Sequence, residues 1–175
     1  LALDGVDPAS IVGWDRLSIQ LTSLVCTHIS MADITDLFVG LVQRDAHVES
    51  LPAAAWHALQ YACLAHNELT FVPSSMTTIL PSLRYLDVSH NLLNAVPPAL
   101  ECLHKLQALN VSGNMIDSVL GIYLSLPHIR VLNLGGNRLE SLCGVERLHT
   151  LEQIDLRANI IQDPGEVGRL ATLPQ

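Results

Sequence analysis

Few residues in this chain stand at spacings that catalytic or metal chemistry uses. Cys63-x-x-His66 has the separation of a metal-ligand pair. A zinc site needs further ligands at matched spacing, and the sequence supplies none. Gly135-Gly136-Asn137 is glycine-rich, but no Gly-x-x-x-x-Gly-Lys-Ser/Thr surrounds it, so it does not read as a phosphate cradle. No serine lies in Gly-x-Ser-x-Gly. His28, His66 and His90 recur at one position of a longer pattern; they read as solvent-exposed turn histidines forming a column along one strand edge, rather than as a pH sensor. The chain does not read as an enzyme. No metal, cofactor or small-molecule substrate is expected.

The longer pattern is a phrase repeated five times, each time ending on an asparagine: Leu59 to Asn67, Leu83 to Asn91, Leu106 to Asn114, Ile129 to Asn137 and Leu151 to Asn159. Its form is L-x-x-L-x-L-x-x-N-x-L. Alternation turns Leu86 and Val88, Leu109 and Val111, Leu132 and Leu134, and Ile154 and Leu156 inward on short strands. A sharp turn after each strand leaves backbone groups facing the interior. A buried asparagine side chain both donates and accepts, so Asn67, Asn91, Asn114, Asn137 and Asn159 read as a structural ladder and not as catalytic residues.

Period and form together resemble the leucine-rich repeat. The resemblance covers Leu59 to Leu173 and, more loosely, Leu21 to Leu59. It implies an α/β leucine-rich-repeat solenoid, right-handed and curved, with a parallel concave sheet and short helices or 3₁₀ turns on the convex side. The run Leu139, Leu142, Val145, Leu148, Leu151 resembles the 22-residue repeats of phosphatase-1 regulators. The wording from Leu132 to Leu148 and from Leu151 to Asn159 is similar to repeats of the nischarin and LKB1-interacting-protein scaffolds, and to those of fungal septation scaffolds. The resemblance implies a protein-interaction module of a larger cytosolic scaffold or signalling protein. The alternative it leaves is a regulatory subunit docking directly on an enzyme such as a protein phosphatase.

At 175 residues, 49% hydrophobic and 15% charged, the composition suits one solenoid whose turns share a continuous core. The net charge of −8 and a single lysine, Lys105, argue against nucleic acid and an acidic membrane surface. No stretch has the length of a membrane span. The cysteines Cys26, Cys63, Cys102 and Cys143 are scattered, which suits a reducing cytoplasm. The start lacks both an initiator Met and a basic leader region, so the chain reads as part of a longer one. The sequon Asn110-Val-Ser112 lies in an expected strand and reads as chance.

Residues 1–20 are expected to form an N-terminal cap segment, in which Ile11 and Trp14 cover the first repeat. Residues 21–58 form an irregular first repeat. There Ile29 takes the asparagine position and the next frame position, Asn67, comes some fifteen residues late. Asp33 is expected to N-cap a convex helix through Ile34, Leu37, Phe38 and Leu41. A polar loop from Gln43 to Ser50 follows, then a helical run opened by Pro52. Residues 59–175 make five repeats. Leu170 and Leu173 stand where a further repeat or cap should follow.

Outward strand positions carry no folding duty and are the candidate binding surface. They form three rows: Ser23, Tyr61, Tyr85, Ala108, Val131, Gln153; then Val25, Cys63, Asp87, Asn110, Asn133, Asp155; then Thr27, Ala65, Ser89, Ser112, Gly135, Arg157. The repeat does not demand Tyr61 and Tyr85, and tyrosine is enriched at binding hot spots. Candidate partner contacts are therefore Tyr61, Tyr85, Asp87, Asn110, Asn133, Asp155 and Arg157. A second candidate is the rim of residues following the asparagines: Leu92, Met115 and Ile160, interrupted by Arg138. It is either an interface or partly buried by the neighbouring repeat.

Overall fold

The computed structural model describes residues 1–30 and 34–173. Its centre is a seven-stranded parallel sheet whose strands lie side by side in chain order. They are β1 (Ala2–Asp4), β2 (Ser23–Thr27), β3 (Tyr61–Cys63), β4 (Tyr85–Asp87), β5 (Ala108–Asn110), β6 (Val131–Asn133) and β7 (Gln153–Asp155). Between strands the chain returns through short elements on the other side. These include α1 (Trp14–Gln20), α2 (Leu41–Ala46), α3 (Ser74–Ile79) and α4 (Ile122–Ser125); α5 (Pro164–Gly168) follows the last strand. Two 3₁₀ turns, Pro98–Cys102 and Val145–Arg147, serve in place of helices. Leu24, Ala62, Leu86, Leu109 and Leu132 point inward from β2 to β6, with Cys26 beside Leu24 on the longer β2, and join the convex leucines in a single core.

The asparagine ladder ties successive repeats together. Asn91 Nδ2 donates to the carbonyls of Val88 and Ser89 in its own turn and of Leu64 in the previous repeat, all at 3.0 Å. Its Oδ1 accepts the N–H of Leu69 at 3.0 Å. Asn67, Asn114 and Asn137 repeat that arrangement and are buried; Asn159, half-buried, repeats most of it. Each ladder residue thus ties the turn carbonyls of two successive repeats to a backbone N–H of the repeat before it.

The N-terminal third is built differently. A strand, β1, precedes the first expected one and pairs in parallel with β2, Leu3 opposite Cys26. A π-helical turn, Asp36–Gly40, runs directly into α2. The expected N-cap Asp33 lies outside the described residues. The expected polar loop from Gln43 is instead helix as far as Ala46, because its polar residues have distant partners. Asp45 Oδ2 accepts the N–H groups of Gly13 and Trp14 at 2.7 and 2.8 Å, and so caps the start of α1. Arg44 donates to the carbonyls of Ala9 and Ile11 and bonds Asp45 at 2.7 Å. Arg44 heads the causes that hold the Asp45 carboxyl down at about 2, ahead of the two N–H donors.

No helix follows Pro52. Residues 53–58 form turns, and Trp56 takes a left-handed backbone with φ of 61°. That conformation sends its indole inward: Nε1 donates to the Phe38 carbonyl at 2.7 Å, and the ring packs edge-on against Phe38 and at a tilt to Trp14. Trp14, Phe38 and Trp56 are all fully buried.

Candidate protein-binding face

The strand register places the first outward row side by side as Ser23, Tyr61, Tyr85, Ala108, Val131 and Gln153. Within it Tyr61 and Tyr85 stack face to face, with ring centroids 4.5 Å apart and planes within 2° of parallel. Parallel strands of equal register impose this, since their spacing of about 4.8 Å is close to a stacking distance. Both rings are half-buried. The Tyr85 hydroxyl donates to Asp87 Oδ2 at 3.4 Å. Burial pushes both phenols above their ordinary range; the Asp87 charge adds to this, as Cys63 does for Tyr61. Both hydroxyls therefore stay protonated donors at neutral pH.

The second row has structural work of its own. Asp87, Asn110, Asn133 and Asp155 each accept, through Oδ1, the N–H two residues further on, at Ser89, Ser112, Gly135 and Arg157. These side chains shape the turn that leads into the ladder. Asn110 is doubly engaged, donating to Asp87 Oδ2 at 3.0 Å, so the sequon asparagine lies within the sheet's polar network. Arg157 is bound back onto Asp155 as a fork, and this pair holds the Asp155 carboxyl at about 2. Cys63, buried among these residues, has its thiol pushed up by burial and by Asp87.

At the end of each strand the residue before the ladder position is left-handed: Gly5, His28, His66, His90, Gly113, Gly136 and Ala158 have φ between 52° and 64°. The three histidines stack, His28 on His66 at 4.9 Å and His66 on His90 at 4.3 Å, and Asp4 meets His28 Nδ1 at 2.7 Å. His66 thus stands in a ring column. Among the described residues no group of three or more His, Cys, Asp or Glu could hold a metal. Sequence reasoning identified the shared frame position but missed the backbone conformation; glycine at the same place in later repeats, Gly113 and Gly136, is the signal that reveals it. Beyond His90 the edge is bare, leaving an open basin of about 370 Å³ between His90 and Arg157.

The rim is apolar but discontinuous. Leu92 is 45% and Ile160 49% exposed, Met115 is half-buried, and exposed Arg138 separates Met115 from Ile160. Among the described residues no helix is long and apolar enough to cross a membrane.

Residues 59–116 match the family described as Leucine rich repeat. A stretch of 48 residues is 42% identical to an uncharacterized leucine-rich repeat-containing protein of Schizosaccharomyces pombe, covering 27% of this chain and 8% of that protein. Among solved structures, a leucine-rich-repeat protein of Leptospira interrogans superposes with a TM-score of 0.65 at 26% identity, over 89% of this chain and 36% of the other. The chain therefore spans much less than two thirds of either. The family match and the superposition agree with the repeated strand, turn and ladder: this chain folds as a leucine-rich-repeat solenoid.

Proposed function

We propose that this chain is the protein-interaction module of a larger cytosolic scaffold or signalling protein, and that a protein partner seats on the concave face over Tyr61 and Tyr85. The stacked tyrosine pair carries this reading. Two adjacent strands present aromatic rings that the repeat does not require, on a rigid sheet, with Asp87 beside them. Such a surface offers large contact area at little entropic cost. Asn110, Asn133, Asp155 and Arg157 extend the surface along the sheet, and the Leu92, Met115 and Ile160 rim is the second choice. A regulatory subunit docking on an enzyme such as a protein phosphatase draws support from the 22-residue spacing of Asn137 and Asn159 and its 3₁₀ turn Val145–Arg147.

The test is a Tyr61→Ala/Tyr85→Ala double variant compared with the parent in quantitative affinity capture. Melting should be nearly unchanged, while partner binding falls by about 2 kcal/mol or more. Undiminished capture at unchanged melting removes the concave face and moves the site to the rim. One dominant phosphatase among the captured proteins favours the regulator; a mixed set favours the scaffold.

A further inference from the structure

The tyrosine column stops one strand early. Tyr61 and Tyr85 repeat at the strand spacing, so a third ring in register would stand on β5, where Ala108 offers only a methyl group. The next side chain in the row is Val131 on β6, exposed at 38%. Two strand spacings, about 9–10 Å, therefore separate Tyr85 from Val131, and the outer face of the Tyr85 ring borders an unfilled rung. The polar atoms beside it are Asp87 Oδ2, at the tip of Tyr85, and Asn110, which donates to that same oxygen.

We propose that the empty rung over Ala108 receives an arginine side chain of the protein partner, its guanidinium stacked on the free face of Tyr85 and paired with Asp87. It rests on the concave-face reading above and names the chemistry of the group that reading admits. A guanidinium is planar, weakly hydrated and forked, so it stacks on a ring and bonds a carboxylate at once. Lysine lacks the plane. A phenylalanine would stack but would cover the Asp87 carboxylate with nothing to offset its charge. The chain's net charge of −8 draws cationic segments toward it. Two arginines stand at the other end of the strands: Arg84 is exposed ahead of Tyr85, and Arg130 is paired with Glu152 at 3.0 Å.

The experiment is selection of a random heptapeptide display library on the immobilised chain, followed by affinity measurements on the enriched peptides. They should share an arginine, and its replacement by citrulline or lysine should weaken binding about tenfold. Ala108→Tyr, which fills the rung with the protein's own ring, should abolish binding. Tyr85→Leu, which keeps apolar bulk without the π face, should also weaken it and serves if Ala108→Tyr folds poorly. Asp87→Asn keeps an acceptor for Ser89 but loses both the charge and the oxygen that accepts from Tyr85 and Asn110, and should cost several-fold. No enrichment, enriched peptides without arginine, or arginine peptides indifferent to both Ala108→Tyr and Tyr85→Leu would overturn the proposal. Arginine-free peptides that still need Tyr61 and Tyr85 sink the arginine seat and leave the concave face standing; peptides indifferent to both tyrosines and to Ala108 sink both.

Discussion

Residues 59–159 and residues 1–58 build the same parallel stack by different means. In the repeats, a buried amide every 22 to 24 residues bonds the turn before it and the turn it closes. In the N-terminal block Ile29 occupies that place. Its N–H still reaches Asn67 Oδ1 at 3.0 Å, but its own side chain has nothing to offer β1. There the stack is held from outside: Asp4 takes hydrogen bonds from Thr27 and His28, Asp45 and Arg44 clasp the segment before α1, and Trp14, Phe38 and Trp56 fill the convex side. A polar ladder demands constant spacing because each rung must meet the next. An aromatic core does not, which is how this block accommodates its inserted residues.

The largest expected effect tests that division. Trp56→Ala removes a fully buried indole, its bond to the Phe38 carbonyl and two ring contacts, and should cost about 3–5 kcal/mol by urea denaturation. Repeats couple mainly to their neighbours, so native-state hydrogen exchange should lose protection in residues 1–58 far more than in residues 106–159. Uniform loss across the chain would mean one cooperative unit and no real boundary.

The second test breaks the ladder instead. Asn114→Ala leaves the buried N–H of Leu93 without its acceptor and takes one donor each from the carbonyls of Val88, Val111 and Ser112, which keep Asn91, Asn137 and the His90 N–H. It should cost about 1–3 kcal/mol, with protection lost on both sides of β5. A change of a few tenths would mean that water substitutes for the amide and that leucine packing alone maintains the register.

Those two residues also show what was legible beforehand. Asn114 was readable because the repeat states its inward leucines and its asparagine in the same frame; the same frame set the row containing Tyr61 and Tyr85. Their adjacency follows from that frame; the face-to-face geometry of the rings does not, since it depends on the side-chain rotamers both tyrosines adopt. β1 was hidden because three residues, Ala2-Leu3-Asp4, are too short to show alternation. The helix through Ala46 is hidden because Arg44 and Asp45 look like solvent-facing polarity, and their partners lie more than 30 residues earlier. Nothing local announces a left-handed tryptophan at Trp56; the indole's destination, the Phe38 carbonyl, decides it.

The clasp gives a smaller effect with a pH signature. Asp45→Ala removes the cap on α1 and should cost about 0.5–2 kcal/mol. The Asp45 carboxyl is held at about 2, below its ordinary 3.8. Its contribution is therefore complete above that ordinary value and is lost as pH falls toward 2. The difference in stability between parent and variant should be constant at neutral pH and shrink across that acid window. Asp155, likewise held at about 2, is present in both proteins and cancels. A difference that persists unchanged to pH 2 would assign the cost to lost packing and not to the charge.

The smallest effect sharpens the comparison along the left-handed edge, where histidines line the N-terminal end and small residues the C-terminal one. Ala158 holds φ of 55° with no ring stacked beside it to offset the strain. Ala158→Gly should therefore stabilise the chain by a few tenths to about 1 kcal/mol, the relief of a left-handed β-carbon less the extra freedom of glycine in the unfolded chain. Gly113→Ala should do the reverse and by more. It places a methyl at φ of 64° and only 2.6 Å from His90 Nδ1, so it strains the backbone and pushes on the end of the imidazole stack. Thermal unfolding of the two variants reads both signs. If Ala158→Gly destabilises, the last turn is not under conformational strain, and the edge would be set by side-chain packing from end to end, not by backbone geometry in its small-residue half.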